Sequence, residues 1–222
     1  MLYDLGSSGA ATTWDRLKAA NGVRCVPDSR LQQAFVPKFC DDQSCAALID
    51  RIDAAVRPST ITDDIGDPEF RTSQTGDLNH GDPVVAALDA RLAELTGIDP
   101  ACGEPLQGQR YDAGQQFKGH TDYFEPMGID YEPHTRVSGQ RTWTAMLYLN
   151  SVEAGGATRF ASIERTYQPE RGKLLLWCNL TPEGQPNPWT LHHAMKVRKG
   201  RKYVITKWYR ERPWPWPNGA PG

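Results

Sequence analysis

The chain has no apolar run long enough to cross a bilayer, which takes about 20 consecutive residues in a helix. No membrane role is expected. It also opens without a charged-then-apolar leader, so a soluble, cytoplasmic setting is expected. Cysteine is sparse: Cys25, Cys40, Cys45, Cys102 and Cys178 are odd in number and never spaced CxxC. That count fits no zinc ribbon and favours reduced thiols over a disulfide framework. An excess of one charge sign is lacking too. The formal net charge is −2, without the broad basic field of a non-specific nucleic-acid binder, and no nucleic acid is expected as a partner.

What is present is a chain of 222 residues with 39% hydrophobic content and seven Trp, enough for one large domain or two small ones. In YDAGQQFKGHTD (111–122), His120 and Asp122 are separated by one residue. In an extended strand they would share a face, an imidazole beside a carboxylate. The complement lies downstream in TLHHAMKVRKGRK (190–202), where His192 or His193 could complete two histidines and one carboxylate. Such a facial triad leaves coordination positions open and suits a non-haem Fe(II) oxygenase. An isolated HxD arises by chance, so its context has to carry the reading. His80 and His134 fall in loop-like segments and read as surface histidines.

Residues 1–31 are small and polar, with one short helical candidate at Trp14–Ala20. After the apolar stretch Ala34–Phe39, Asp41 or Asp42 can cap a helix whose Cys45, Leu48, Ile49, Ile52 and Val56 repeat at helical spacing and should pack on a sheet. The polar segment Arg57–Gly81 reads as a long loop, either a functional lid or a solvated insertion. Asp82-Pro83 starts a second helix striped by Val84, Val85, Leu88, Leu92 and Leu95 and stopped at Gly97. Short β-like runs follow: Leu106–Tyr111, Thr142–Leu149, Ala157–Phe160, Lys173–Cys178, Trp189–Val197 and Tyr203–Tyr209. Helices first and strands after, with no helix between the later strands, favour a sandwich or jelly roll over a doubly wound sheet. The tail RPWPWPNGAPG, from Arg212, has too many prolines to continue a sheet and reads as extended or disordered chain.

HTD at 120, RTWTAMLYLN at 141, GGATRF at 155, RGKLLLWCN at 171, LHHAMKVRKGRK at 191 and TKWYRERPW at 206, in this order, resemble the prolyl 4-hydroxylase family of Fe(II)- and 2-oxoglutarate-dependent dioxygenases. The resemblance covers about residues 36–213. It implies an α+β, mainly β fold: a double-stranded β-helix (jelly roll, cupin-like) with N-terminal supporting helices. The implied organisation is an N-terminal extension (1–33), a single domain (34–213) with helical support at 40–97 and a β-helix core at 104–210, and a Pro-rich tail (214–222). It implies Fe(II), 2-oxoglutarate and O2 as cofactors, with ascorbate as a reductant.

Residue by residue, the resemblance makes His120, Asp122 and His192 the iron ligands. The family pattern LHAGxPVxxGxK aligns on Val197, Gly200 and Lys202 without a gap only if His192 takes the ligand place, and strand alternation turns His193 to the opposite face. Lys202 matches the anchor of the far carboxylate of 2-oxoglutarate, a role that suits a cation in a buried pocket. Thr158 matches a hydrogen-bond partner of that carboxylate, and Tyr111 matches a wall of the cosubstrate pocket. On the substrate side Arg141 and Trp208 match positions that hold the peptide, although Trp208 could equally be core. Phe117 stands where tyrosine is usual in YxxGxxYxxHxD, and Lys196 where proline is usual.

The implied reaction is hydroxylation of an unactivated C–H bond with release of succinate and CO2; the presence of Asp122 favours hydroxylation over halogenation. A prolyl residue of a peptide or protein is the expected substrate. Two alternatives stand beside it: an oxygenase of a free amino acid or other small molecule, and a catalytically inert metal-binding β-helix module. The oligomeric state is left open.

Overall fold

The computed structural model describes residues 8–59, 67–129 and 131–216. Helix α1 (Ser8–Ala19) leads into strands β1 (Arg24–Cys25) and β2 (Gln33–Val36), then α2 (Asp42–Ala54), β3 (Val56–Pro58), β4 (Gln74–Asp77) and α3 (Pro83–Thr96). Strands dominate from there: β5 (Gln107–Tyr111), β6 (Phe117–His120), β7 (Arg141–Tyr148), β8 (Ala154–Gly155), β9 (Thr158–Phe160), β10 (Arg165–Tyr167), β11 (Leu174–Cys178), β12 (His192–Ala194), β13 (Val197–Lys199) and β14 (Lys202–Arg210), with one five-residue helix, α4 (Tyr131–Thr135), between β6 and β7. Among the described residues the strands form a major sheet in the order β1-β2-β11-β7-β14-β5-β4-β3, a minor sheet β10-β9-β12-β6, and the pair β13-β8. All pairings are antiparallel. The two sheets face each other as a double-stranded β-helix.

Period-two alternation divides the major sheet between two cores. On β14, Tyr203, Ile205 and Tyr209 join the helix-side cluster with Leu48, Ile52, Leu88 and Leu92, while Val204 joins Tyr111, Tyr148, Phe160 and Trp177 between the sheets. All nine residues of β14 are buried, as expected of a strand covered on both faces. The helices form where their caps say they should. Asp41 accepts from the Ser44 amide at 2.7 Å to start α2, Asp82 accepts from the Val84 amide at 2.9 Å to start α3, and Gly97 ends α3 at φ 70°. Helix α2 lies so close to the sheet that a Cβ on Gly108 would stand 2.4 Å from Ile52 Cγ1 and one on Gly76 3.0 Å from Ile52 Cα. Glycine at both positions is what lets the helix seat.

Several expectations are corrected. Segment Arg57–Gly81 is not a structureless loop: β4 pairs with β5 and β3, extending the major sheet to its edge. The strand escapes hydrophobic patterning because its buried positions are Thr75 and Gly76, and Gly76 is buried for the helix's sake. Residues 60–66 of that segment lie outside the described residues. The described part of the expected N-terminal extension, residues 8–33, packs onto the domain, and residues 1–7 lie outside the described residues. Leu17 is fully buried in the helix-side core, Trp14 stacks on Trp143 at 6.5 Å, and β1 pairs with β2. The run Trp189–Val197 breaks into a 3-10 turn (Pro188–Thr190), β12 and β13, the last two in different sheets. The tail is docked as far as Trp216: the Trp214 amide donates to Ala101 O at 2.8 Å, and Trp216 meets His80 edge-on at 5.2 Å. Residues 217–222 lie outside the described residues. Among those described, no helix is long and apolar enough to cross a membrane.

Candidate active site

Strand β6 ends on His120 and β12 begins on His192, and the two are direct antiparallel partners. Their ring centroids are 4.3 Å apart. His120 Nδ1 lies 2.9 Å from Lys118 O, and His192 Nδ1 lies 2.8 Å from Thr190 O. A carbonyl can only accept, so each Nδ1 carries the proton and each Nε2 presents a lone pair. Asp122 falls beyond the end of β6, so strand alternation alone does not place it. Its Oδ2 instead accepts from Thr144 Oγ1 at 2.8 Å on the facing sheet, and that hydroxyl accepts from Asn179 Nδ2 at 2.9 Å. One nitrogen from each imidazole and one carboxylate oxygen all lie within 4.8 Å of one another.

The donors fit a divalent ion with imidazole and carboxylate preferences. Burial, then the neighbouring His192, push the His120 pKa down to about 3, so the ring is neutral and able to ligate. For Asp122, burial acts to raise the pKa, but His192, His120, Arg141 and the Thr144 hydroxyl together hold it below the usual carboxylate range. It is a carboxylate at neutral pH. His193 stands across from Arg159 and does not join the cluster.

A cavity runs from this cluster inward between the sheets, lined by Tyr111, Thr158, Lys202, Gln109 and Trp177 among others. Lys202 is 1% exposed, with Nζ 5.1 Å from the Tyr111 ring centroid and 5.5 Å from that of Tyr148. Burial alone lowers its pKa to about 7; among the described residues no carboxylate offsets it. An uncompensated cation at the end of a buried cavity is costly, and an entering carboxylate would relieve that cost. Thr158 Oγ1 accepts from Tyr148 OH at 2.7 Å, and Tyr111 OH donates to Gln109 Oε1 at 3.1 Å. The alternation of β14 explains why Lys202 and Trp208, six residues apart, line the same cavity.

Outward, the cluster opens into a groove of about 770 Å³ walled by Phe70, Phe117, Tyr123, Phe124, Tyr131, Trp208 and Trp214. Phe117 stacks on His120 at 3.5 Å, which fixes one face of that imidazole. Arg141, expected on the substrate side, does line this groove. Its fork is engaged by Glu104, with Nε to Oε1 at 2.7 Å and Nη2 to Oε2 at 2.8 Å, and its plane lies 4.0 Å over Trp208. Arg141 therefore builds the groove wall and holds Trp208 in place. Trp208 is buried, lines both spaces, and its Nε1–H has no acceptor among the described residues.

Sequence reasoning missed Arg71. It also lines both spaces, with Cζ 4.7 Å over Phe117, Nε donating to Ser73 Oγ at 3.2 Å and Nη2 to Gln107 Oε1 at 3.4 Å. It sits in a segment without periodicity, and the pairing of residues 70–72 with residues 116–118 brings it to the site. Thr144 and Glu104 were missed as well; each acts through another side chain and carries no motif of its own.

Residues 106–210 match the family model described as the 2OG-Fe(II) oxygenase superfamily. The chain is 31% identical over 201 residues to "Probable prolyl 4-hydroxylase 3" of Arabidopsis thaliana, covering 79% of this chain and 68% of that protein. It is 32% identical over 176 residues to "Prolyl 4-hydroxylase subunit alpha-1" of Gallus gallus, covering 74% of this chain and 33% of the subunit, so it spans about a third of that animal relative. The crystal structure of a viral collagen prolyl hydroxylase from Paramecium Bursaria Chlorella virus-1, in its 2OG complex, superposes with a TM-score of 0.65 at 22% identity over 84% of this chain and 98% of that one; that likeness speaks for the fold. With sequence identity that spans most of the plant relative and a double-stranded β-helix that gathers His120, Asp122 and His192 at one point, the chain belongs to the prolyl 4-hydroxylase-like family of 2OG-Fe(II) oxygenases.

Proposed function

We propose that this protein is an Fe(II)- and 2-oxoglutarate-dependent dioxygenase that hydroxylates a prolyl residue of a peptide or protein. The single observation that carries the reading is the buried, uncompensated Lys202 at the inner end of the cavity that begins at the His120–Asp122–His192 cluster. Iron would be held by His120, Asp122 and His192, and the far carboxylate of 2-oxoglutarate by Lys202 with Thr158, against the wall made by Tyr111. When bound, iron and 2-oxoglutarate would supply the activation of O2, one oxygen atom of which converts C–H to C–OH while the other enters succinate, with CO2 released. The chain's own part is placement and water exclusion. The β6–β12 register sets the imidazoles, Thr144 orients the carboxylate, and Phe117 and Trp208 close the reacting end with apolar surface.

An extended proline-rich segment suits the outer groove because pyrrolidine rings pack on aromatic faces and the ligand arrives pre-extended. Ascorbate fits as an external reductant for uncoupled cycles. A cytoplasmic setting accords with five free cysteines. We read the catalytic domain as residues 34–213, with α1 and residues 214–216 docked onto it.

The test is succinate formation from 2-oxoglutarate with Fe(II), together with intact-mass screening of proline-containing peptides and of free proline for a gain of one oxygen. Oxidation of free proline but of no peptide would move the protein to small-molecule substrates. No succinate under any condition would leave it a metal-binding module.

A further inference from the structure

The groove wall is a ladder of alternating rings and guanidinium planes that ends in a segment beyond the family-model match. Trp208 lies under Arg141 at 4.0 Å, Arg141 and Arg210 lie 4.9 and 5.0 Å from the Phe124 ring, which His134 also stacks on at 5.0 Å, and Arg210 lies 5.5 Å over Trp214. Glu104 ties the two cations together, accepting from Arg141 and from Arg210 Nη1 at 2.8 Å. Trp208, at the inner end, lines both the inner cavity and the groove. Trp214, at the outer end, lines only the groove. Phe124 and Trp208 are buried, whereas Trp214 is half-buried and keeps ring surface open to an occupant.

Trp214 is fixed there by the docked tail. Arg212 N donates to Ser138 O at 2.9 Å, Arg212 Nη2 to Thr135 O at 3.0 Å, and Ser138 Oγ to Pro213 O at 2.9 Å. On the other flank the Trp214 amide reaches Ala101 O at 2.8 Å, and Trp216 packs against His80. The segment thus crosses from the turn after α4 to the turn before Glu104, one on each side of the groove. Pro213 and Pro215 fix φ on both sides of Trp214, so the backbone that carries the ring has little freedom left to lose on binding. The match to the superfamily model ends at residue 210, although the motif TKWYRERPW runs on to Trp214.

We propose that Trp214 is a specificity-determining residue, an outer subsite that packs on a proline ring of the peptide several residues away from the one hydroxylated. This rests on the reading of the substrate as a prolyl peptide. Because Trp214 reaches the groove but not the inner cavity, it acts on peptides long enough to leave the reacting end and leaves chemistry at that end alone.

The test uses the full chain with Fe(II) and 2-oxoglutarate, and two synthetic peptides around the same target proline: a tripeptide, and a proline-rich peptide of about twelve residues, roughly 35 Å in polyproline II form. Trp214→Ala is expected to raise KM for the long peptide several-fold, up to about tenfold, the size of one aromatic contact. Its kcat, the KM for the tripeptide and substrate-free succinate formation stay at wild-type level, and Trp214→Phe restores the long-peptide KM to within about twofold. An unchanged long-peptide KM overturns the proposal, and so does an equal rise for both peptides, which would make Trp214 merely structural. If Trp214→Ala does not fold, Trp214→Leu, apolar but without a ring, carries the same comparison. If the wild-type protein hydroxylates neither peptide, the functional reading fails and the subsite is judged by calorimetric binding of the long peptide: weaker binding to the variant sustains it, and equal or absent binding overturns it.

Discussion

His120 and His192 stand opposite each other in one antiparallel register, and each ring is oriented by a backbone carbonyl two residues before it in sequence. The register that makes His192 the partner of His120 sets His193 against Arg159 instead. His192→Ala should therefore abolish Fe(II) binding and turnover together, while His193→Ala keeps most of each, measured by metal titration and succinate formation. The reverse pattern would show that the cluster is not the iron site.

Thr144 should matter without touching metal. Its hydroxyl fixes the Asp122 carboxylate from the opposite sheet, and Asn179 in turn fixes the hydroxyl. Thr144→Val keeps the volume and removes the donor, so Fe(II) affinity should fall by about 10- to 100-fold, as when other outer supports of metal ligands are lost. Equal affinity in a competition titration would mean that Asp122 is held by something else.

How much of this was legible follows from where periodicity reaches. The cap at Asp82, a cap at Asp41 or its neighbour, and the stop at Gly97 are readable because local chemistry dictates them, whereas the choice of His192 over His193 comes from the resemblance. The strand β4 was not, since its buried positions are a threonine and a glycine chosen for the approach of Ile52. Arg71 reaches the groove through the pairing of residues 70–72 with 116–118 and Trp214 through a docked tail, long-range relations that periodicity does not show. The resemblance brings Arg141 to the substrate side, but the acidic residue that engages it lies 37 positions away, beyond any local pattern.

The charge on Lys202 should govern cosubstrate binding. Burial lowers its pKa to about 7, and an entering carboxylate favours the protonated form. Affinity for 2-oxoglutarate should weaken as pH rises above 7, approaching tenfold per unit if the site must take up the proton. Folding stability has the opposite slope: a base whose folded pKa lies below its unfolded value of about 10.4 destabilises the apo fold most at low pH, and that penalty is relieved between about pH 7 and 10. Lys202→Ala should weaken 2-oxoglutarate binding by about 1.5 to 3.5 decades, about 2 to 5 kcal/mol, and flatten its pH profile. Calorimetric titration at pH 6.5 and 8.5 measures both, and unchanged affinity would place the carboxylate anchor elsewhere.

Glu104 should hold the groove wall together. Its carboxylate receives both nitrogens of the Arg141 fork and one from Arg210, all at 2.7–2.8 Å, and it is 7% exposed. Glu104→Gln leaves two guanidinium groups with a neutral partner in a buried setting, so loss of stability on the order of 3 to 5 kcal/mol is expected. Burial acts to raise the Glu104 pKa, but Arg141 and then Arg210 outweigh it and hold it below the usual range. A depressed carboxylate pKa contributes stability that is present above the unfolded value of about 4.3 and is lost as pH falls through the folded value. Wild-type protein should therefore lose stability on acidification in part through this group, and Glu104→Gln should be less stable at pH 7 yet lose less between pH 5 and 3. Denaturant unfolding at those pH values checks it. A variant with wild-type stability at pH 7 would show that the two arginines find other acceptors, and with them Trp208 and Trp214 other supports.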